Sequence, residues 1–343
     1  MDIKRLDSGD DDNLHEYDKL VDISLEGTIF HNSWWLNIFK DYYGSSYTIE
    51  FYGAFETGNL VAGIPIPIHN KLGIKFVYHP KLTPYLGSFF VDKGIKKKDR
   101  EISWKKRINE EFAKSLKESG ICLSYSFGHN YIDLQPFKWQ GFDIEVHYTY
   151  VLKLDNLDQI WKNMNRKRRN DINKCYKQNY TIKFGEIKKY IEQNKQTMKR
   201  QNHKILGERL WMKVFDECKK HNCCEIFTAY KDDEAMASLF LVWDNKRSYY
   251  IGGGIKDNSQ GAMSLLMWEA IKYTKEKLNL NEFDFEGSDV RSIEFYFRKF
   301  GGNIKPIFFV SENSMKRNII MKLYNFSSVL QRRSRNWVFE VDS

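Results

Sequence analysis

The sequence predicts an α/β (α+β) protein built as two tandem units, each a mixed, mostly antiparallel sheet flanked by helices. Three observations carry this. The chain has 343 residues, 42% hydrophobic and 15% aromatic, enough to bury more than one core. A weak internal repeat runs through it. Phe51 to Ile64 reads as two β-rich runs around Thr57-Gly58-Asn59, and Ile226 to Val242 as the same hairpin around Lys231-Asp232-Asp233-Glu234. The regular strand–helix alternation of a doubly wound sheet is missing.

Each unit is expected to run helix, hairpin, strand, helix, strand, helix, strand. Amphipathic helices follow the hairpins at about 101–119 and 262–278. In the second, Met263, Leu266, Met267, Ala270, Ile271 and Thr274 recur at three- and four-residue spacing, which gives one buried face. The units end alike, on Phe137 to Tyr150 and on Phe297 to Val310, which predicts domains over 1–150 and 151–313 and leaves 314–343 as a terminal segment. Between them a helix is expected over 157–177. Ile251-Gly252-Gly253-Gly254-Ile255 fits no Rossmann or P-loop pattern; it reads as a strand whose backbone something approaches, or as a bulge.

Charge narrows the function. Fifty-four Lys and Arg against 45 Asp and Glu leave +9, pointing to an anionic partner or to a solvated lysine-rich surface. Residues 162–177 concentrate it: seven cations, Arg168 and Arg169 among them, face one acid, Asp171. The five cysteines are odd in number and lack paired CxxC spacing, so neither a disulfide framework nor a structural zinc site is expected, and no His, Cys and carboxylate cluster suggests a metal. No apolar run reaches the roughly 18 residues a membrane span needs, and the opening residues lack a leader's apolar core, so a cytoplasmic protein is expected.

Tyr249-Tyr250-Ile251-Gly252-Gly253-Gly254, the run Ala262 to Ile271, Phe283-Asp284-Phe285-Glu286-Gly287-Ser288 and Phe297-Arg298-Lys299-Phe300-Gly301-Gly302 together resemble the C-terminal half of Fem-type proteins. Phe30 to Leu36 and Leu82 to Gly87 are similar to places in the N-terminal half. These proteins are tandem GNAT-fold transferases that include the peptidoglycan interpeptide-bridge aminoacyltransferases. The resemblance implies two GNAT-like domains, a terminal helix at about 314–335 returning to the first, and transfer of an acyl or aminoacyl group from an activated ester to an amine. Such aminolysis needs no enzyme nucleophile, which fits the lack of a Ser/His/Asp or Cys/His signature.

Two features depart from the family pattern. The loop before the helix at 262 has one glycine, Gly261, where coenzyme A users carry a longer phosphate-binding motif at a helix N-terminus. The family's Phe-Lys pair is replaced by Phe297-Arg298, so Arg298 takes the donor-steadying role. The co-substrate expected is aminoacyl-tRNA, with acyl-coenzyme A as the alternative and no permanently bound cofactor.

Residue by residue, Arg168 lies where the apolar stripe Ile160, Met164, Ile172 passes through 168, so it must meet an acid or an anionic ligand. Arg169, Arg200, Tyr250 and Tyr85 are further substrate-binding candidates, the last three by family position. Asp284 and Glu286 alternate with Phe283 and Phe285 and would share one strand face, where Glu286 orients or deprotonates the amine. The partners expected are an anionic small-molecule acceptor, such as a peptidoglycan intermediate or an amino sugar, possibly tRNA, and a membrane surface where the precursor is lipid-linked. A non-catalytic RNA- or precursor-binding protein is the remaining alternative.

Overall fold

The computed structural model describes residues 1–6, 11–257, 259, 261–287 and 289–312, and of Asp11 only the backbone. The expected helix at 314–335 lies outside these residues. The described chain divides into unit 1, residues 1–147 and 307–312, and unit 2, Tyr148–Pro306.

Unit 1 opens with β1 (Asp2–Leu6), α1 (Asp11–Ile23) and α2 (Ser33–Tyr43). The backbone N–H and hydroxyl of Ser33 donate to Asp18 at 2.7 and 2.6 Å, which ties the start of α2 to α1. The expected hairpin follows as β2 (Tyr47–Glu56) and β3 (Asn59–Lys71), turning on Thr57 and Gly58 at φ 50° and 85°, the geometry that matches strand twist. Next come β4 (Ile74–Tyr78), β5 (Phe89–Phe90) and α3 (Lys98–Ser119), whose Trp104, Ile108, Phe112 and Leu116 form a buried stripe at four-residue spacing. Then β6 (Ile121–Phe127), parallel to β4, α4 (Gln135–Trp139) and β7 (Phe142–Lys153) complete the first half of the sequence.

Unit 2 repeats the plan. The segment expected as one helix is two, α5 (Leu157–Asn163) and α6 (Arg166–Lys177). Met164 between them is extended, and the Asn165 side chain accepts the Lys167 N–H as an N-cap. After β8 (Thr181–Phe184), α7 (Ile187–Arg200) and α8 (Glu208–Lys220) comes the second hairpin, β9 (Cys224–Lys231) and β10 (Glu234–Trp243), turning on Asp232 and Asp233 at φ 48° and 61°. Then come β11 (Arg247–Ile255), α9 (Ala262–Glu276), β12 (Glu282–Asp284), parallel to β11, α10 (Arg291–Phe297) and β13 (Asn303–Glu312). Met263, Leu266, Met267, Ala270, Ile271 and Thr274 of α9 are all buried.

Each unit takes its last strand from the other half of the sequence. Val151–Lys153 of β7 ladder with β12 in unit 2, and Phe308–Val310 of β13 ladder with β6 in unit 1. Residues 307–312 are therefore counted with unit 1.

The three glycines of β11 answer to packing. A Cβ on Gly252 would stand 2.5 Å from the Tyr190 hydroxyl, on Gly253 2.6 Å from Met263 Cε, and on Gly254 2.4 Å from the Asn194 backbone nitrogen of α7. A bulge accompanies them: Phe240 pairs with Gly252 and Leu241 with Tyr250, so Ile251 is the extra residue.

Candidate active site

The parallel strands β11 and β12 pair over only three steps, from Arg247/Glu282 to Tyr249/Asp284. Beyond that step the chain places Tyr250 on one strand and Phe285-Glu286 on the other. The bulge at Ile251 and the left-handed conformation of Glu286 both fall at this parting.

Glu286 is the chemically distinctive group. It holds φ 53°, a conformation that costs a non-glycine residue about 1 kcal/mol or more and concentrates at functional sites. A small network holds it there. Its N–H donates to Asp284 Oδ1 at 2.9 Å, the Thr149 hydroxyl donates to the same oxygen at 2.7 Å, and the Gly287 N–H donates to Thr149 Oγ1 at 3.1 Å. Glu286 is half-buried, and its Oε1 is buried with no hydrogen-bond partner among the described residues. Burial, and then the charge of Asp284, push its pKa well above the usual carboxylate value. Such a carboxylate takes up a proton more readily than an exposed one.

A cationic cluster stands on the same unit. Arg168 reaches inward from α6, donates to the Ser264 hydroxyl at 2.7 Å, lies 3.3 Å from Asp171 and places its guanidinium 4.5 Å from the centre of the Tyr296 ring. Ser264 and the Tyr296 hydroxyl are 3.2 Å apart, and burial pushes the Tyr296 phenol up to about 12. Arg168 Nε and Arg169 Nε are both buried without a hydrogen-bond partner among the described residues. Lys299 belongs to this cluster: desolvation first, then Arg168, Lys167 and Arg298, hold its ammonium below the ordinary lysine value. Tyr250 is half-buried beside the site, its ring 5.8 Å from Phe297.

Other predicted residues are placed differently. Asp284 is fully buried and bonded by Thr149 and the Glu286 backbone, so it shapes the turn that carries Glu286. The two carboxylates do not share a strand face, because β12 ends at Asp284 and Glu286 is left-handed. Arg298 is half-exposed just past the end of α10, 3.5 Å from Glu294 of that helix, with its guanidinium 4.8 Å from the centre of the Phe295 ring. Arg200 is spent on the chain: it donates to Asp257, to Thr197 and to the Ile255 carbonyl, closing the end of β11. Tyr85 is a core residue of unit 1, 1% exposed and edge-on to Phe30 at 6.1 Å. Gly261 has φ 88°, and a Cβ there would stand 2.9 Å from the Asp171 carbonyl; close packing of α9 on α6 requires the glycine.

Sequence reasoning missed Thr149, Ser264 and Tyr296. Each lies in a run that reads as packing, and only Ser264, in the first turn of α9, offered a positional signal. Among the described residues no cluster of three or more His, Cys, Asp or Glu could hold a metal ion, and no helix is long and apolar enough to cross a membrane.

Comparisons with known proteins bear on the fold that carries this site. Residues 162–298 match the profile of the acetyltransferase (GNAT) domain, which spans the cationic helix, the parting strands and Glu286. No curated protein matches the sequence. Among solved structures, FemX superposes with a TM-score of 0.68 at 13% identity, over 93% of this chain and 99% of that one. The C-terminal domain of a putative lysylphosphatidylglycerol synthetase from Agrobacterium fabrum gives 0.53 at 11% identity, over 79% and 87% of the two chains. A tandem GNAT protein from the clavulanic acid biosynthesis pathway gives 0.50 at 9% identity, over 91% and 98%. The fold is thus that of tandem GNAT proteins.

Proposed function

We propose that this chain, with the fold of tandem GNAT proteins and an acetyltransferase (GNAT) domain match over residues 162–298, is a Fem-like acyltransferase that moves an aminoacyl or acyl group from an activated ester to an amine of a cell-envelope precursor, such as a peptidoglycan intermediate. Aminoacyl-tRNA is the favoured donor. The observation that carries the reading is Glu286: a strained, half-buried carboxylate with a raised pKa where β11 and β12 part.

The chemistry follows from the placement. The acceptor amine, once Glu286 has taken its proton, attacks the ester carbonyl; a C–N bond forms and the C–O bond to the leaving group breaks. Tyr296, hydrogen-bonded to Ser264, supplies a proton to the departing oxygen, and its high pKa suits an alkoxide leaving group. Arg168, Arg169 and Lys299 hold the anionic part of a substrate. An aminoacyl-tRNA donor sets the reaction in the cytoplasm, and a lipid-linked acceptor brings the protein to the membrane surface without a span.

Two observations support the donor choice. FemX and the lysylphosphatidylglycerol synthetase domain are among the similar folds, and the cation density of α6 suits a polyanion. A second donor, acyl-coenzyme A, is favoured by the first turn of α9, which carries neither an acid nor a side-chain cap. The deciding experiment offers the purified protein a charged tRNA and, separately, an acyl-coenzyme A, with a peptidoglycan-precursor amine as acceptor, and follows amide formation. Product from the charged tRNA alone is expected. Product from the thioester alone replaces the donor, and product from neither overturns the reading.

A further inference from the structure

Unit 1 carries a basic segment that the proposed chemistry does not use. Residues 96–107 hold seven cations against two acids, Asp99 and Glu101, a density close to that of residues 162–177. The segment leads into α3 and forms its first turns, and side-chain bonds tie two loops to it. Lys105 donates to Glu26 at 2.9 Å, while Lys106 stands 2.8 Å from Asp133 with its ammonium 4.8 Å from the centre of the Trp139 ring. The Asn130 amide donates to the Leu25 carbonyl at 3.1 Å and so joins the two loops to each other. Around these bonds large apolar side chains stand in water: Ile132 is 80% exposed, Ile23 69%, Leu25 66%, Trp139 57%, and Ile102, one turn before Lys106, 41%. One exposed Leu or Ile is ordinary, whereas five such side chains on three segments tied together mark an interaction surface. The acids nearest this face are engaged: Glu26 by Lys105 and the Ser24 hydroxyl, Glu101 by Lys98 and Lys105, and Asp133 by Lys106. Asp22 and Asp99 are exposed, and so are Lys96, Lys97 and Lys138.

We propose that this face of unit 1 docks on an anionic lipid membrane, with Leu25, Ile132 and Trp139 entering the headgroup boundary and Lys96, Lys97 and Lys138 against lipid phosphates. It goes beyond the proposed function, in which only a lipid-linked acceptor brings the protein to the membrane, and it stands on residues apart from the acyl-transfer site. The combination of side-chain types selects this occupant. Aliphatic tips gain by leaving water for acyl chains, an indole ring settles at the headgroup level, and lysines complete the contact with anionic lipid. A nucleic acid would use the lysines and the ring of Trp139 but gain nothing from Ile23, Leu25, Ile102 and Ile132. Side chains as exposed as Ile132 protrude rather than line a groove, which suits a fluid surface better than the pocket of a folded partner.

The test is co-sedimentation of the full chain with vesicles of phosphatidylcholine alone and of phosphatidylcholine mixed with phosphatidylglycerol, neither containing a lipid-linked acceptor, each at low and high salt. Wild type is expected on the mixed vesicles, released as salt rises, and off the neutral ones. Leu25→Ser combined with Ile132→Ser should weaken partitioning about tenfold and keep its salt dependence. Lys96→Gln combined with Lys97→Gln should weaken it about tenfold and flatten the salt dependence. All four side chains are exposed, so both variants should melt with wild type. Equal recovery on neutral and mixed vesicles, or recovery of both variants at the wild-type level, overturns the proposal. So does a wild type that ignores both vesicles and self-associates in equilibrium sedimentation until the Leu25→Ser and Ile132→Ser changes abolish it, since the face then joins two copies of the chain. The proposed function and this surface fail separately. Vesicle binding without amide formation keeps the surface and removes the acyltransferase, and amide formation on a water-soluble amine without vesicle binding does the reverse.

Discussion

Both units part a pair of parallel strands at the same step of their repeated plan, and they finish the opening in opposite ways. In unit 1, β4 and β6 pair as far as Tyr78 and Ser124, and the next residue, His79, bridges the gap. Its Nε2 accepts the Ser126 N–H at 3.0 Å, and its Nδ1–H donates to the Thr83 carbonyl at 2.8 Å. The chain that follows folds back into the opening, with the Leu86 N–H on the Ser126 carbonyl at 3.0 Å and the Gly87 N–H on the Tyr125 hydroxyl at 3.1 Å. In unit 2 the equivalent parting of β11 and β12 carries Tyr250 and the strained Glu286, with the Arg168 and Lys299 cluster on the same unit. One opening is satisfied by its own chain and serves stability. The other keeps a carboxylate oxygen without a partner, at a cost a ligand can relieve.

The sharpest way to break this contrast is to mutate both openings. Glu286→Gln should lower kcat by roughly a hundredfold to ten-thousandfold with the fold intact, the loss expected for a general base. His79→Ala should instead destabilise the protein by about 2 kcal/mol, because it strands the Ser126 N–H and the Thr83 carbonyl, with kcat unchanged below the melting transition. Loss of turnover in the unit 1 variant, measured at a temperature where it is folded, would show that both openings carry chemistry.

Arg168→Ala comes next in size. Removing a charged donor that faces Ser264, Asp171 and Tyr296 should raise KM for the anionic substrate roughly tenfold to a hundredfold. Steady-state kinetics with each substrate varied in turn at a saturating level of the other check this, and an unchanged KM for both removes Arg168 from the site.

The smallest effect is on pH, where the openings should pull in opposite directions. Burial lowers His79 from 6.5 to about 4, so the native state favours the neutral ring. Its contribution, about 2 kcal/mol after discounting its exposed edge, is present above pH 6.5 and lost as pH falls through about 4. Glu286 has a raised pKa, so its contribution is present below the usual carboxylate value and lost as pH rises through the elevated one. Glu286→Gln should therefore gain stability over wild type as pH rises, while His79→Gln loses the acid-side transition. Thermal melts across the pH range test both signs.

Much of this is legible in the sequence. The two hairpins, the buried stripe of α9 and the inward position of Arg168 follow from spacing, because residue periodicity is local and survives in any packing. Glu286 was picked out for the wrong geometric reason: alternation placed it on a strand face, and the chain had already left the strand. Arg298 and Arg200 are candidate ligand contacts by sequence, and a charge in sequence does not reveal which group of the fold will stand beside it. Glu294 and Asp257 supplied partners from within the fold.

By itself, then, the sequence determined the two-unit α/β plan, the helical faces and the concentration of charge on residues 162–177, all set by short-range pattern and composition. Only the tertiary structure decided which half supplies each unit's last strand, which parted strand pair its own chain fills, and which cations gather around Arg168. Those outcomes depend on contacts between segments distant in sequence, from 38 residues apart for Gly87 with Tyr125 to 135 for Thr149 with Asp284, and no local spacing encodes which distant group will arrive.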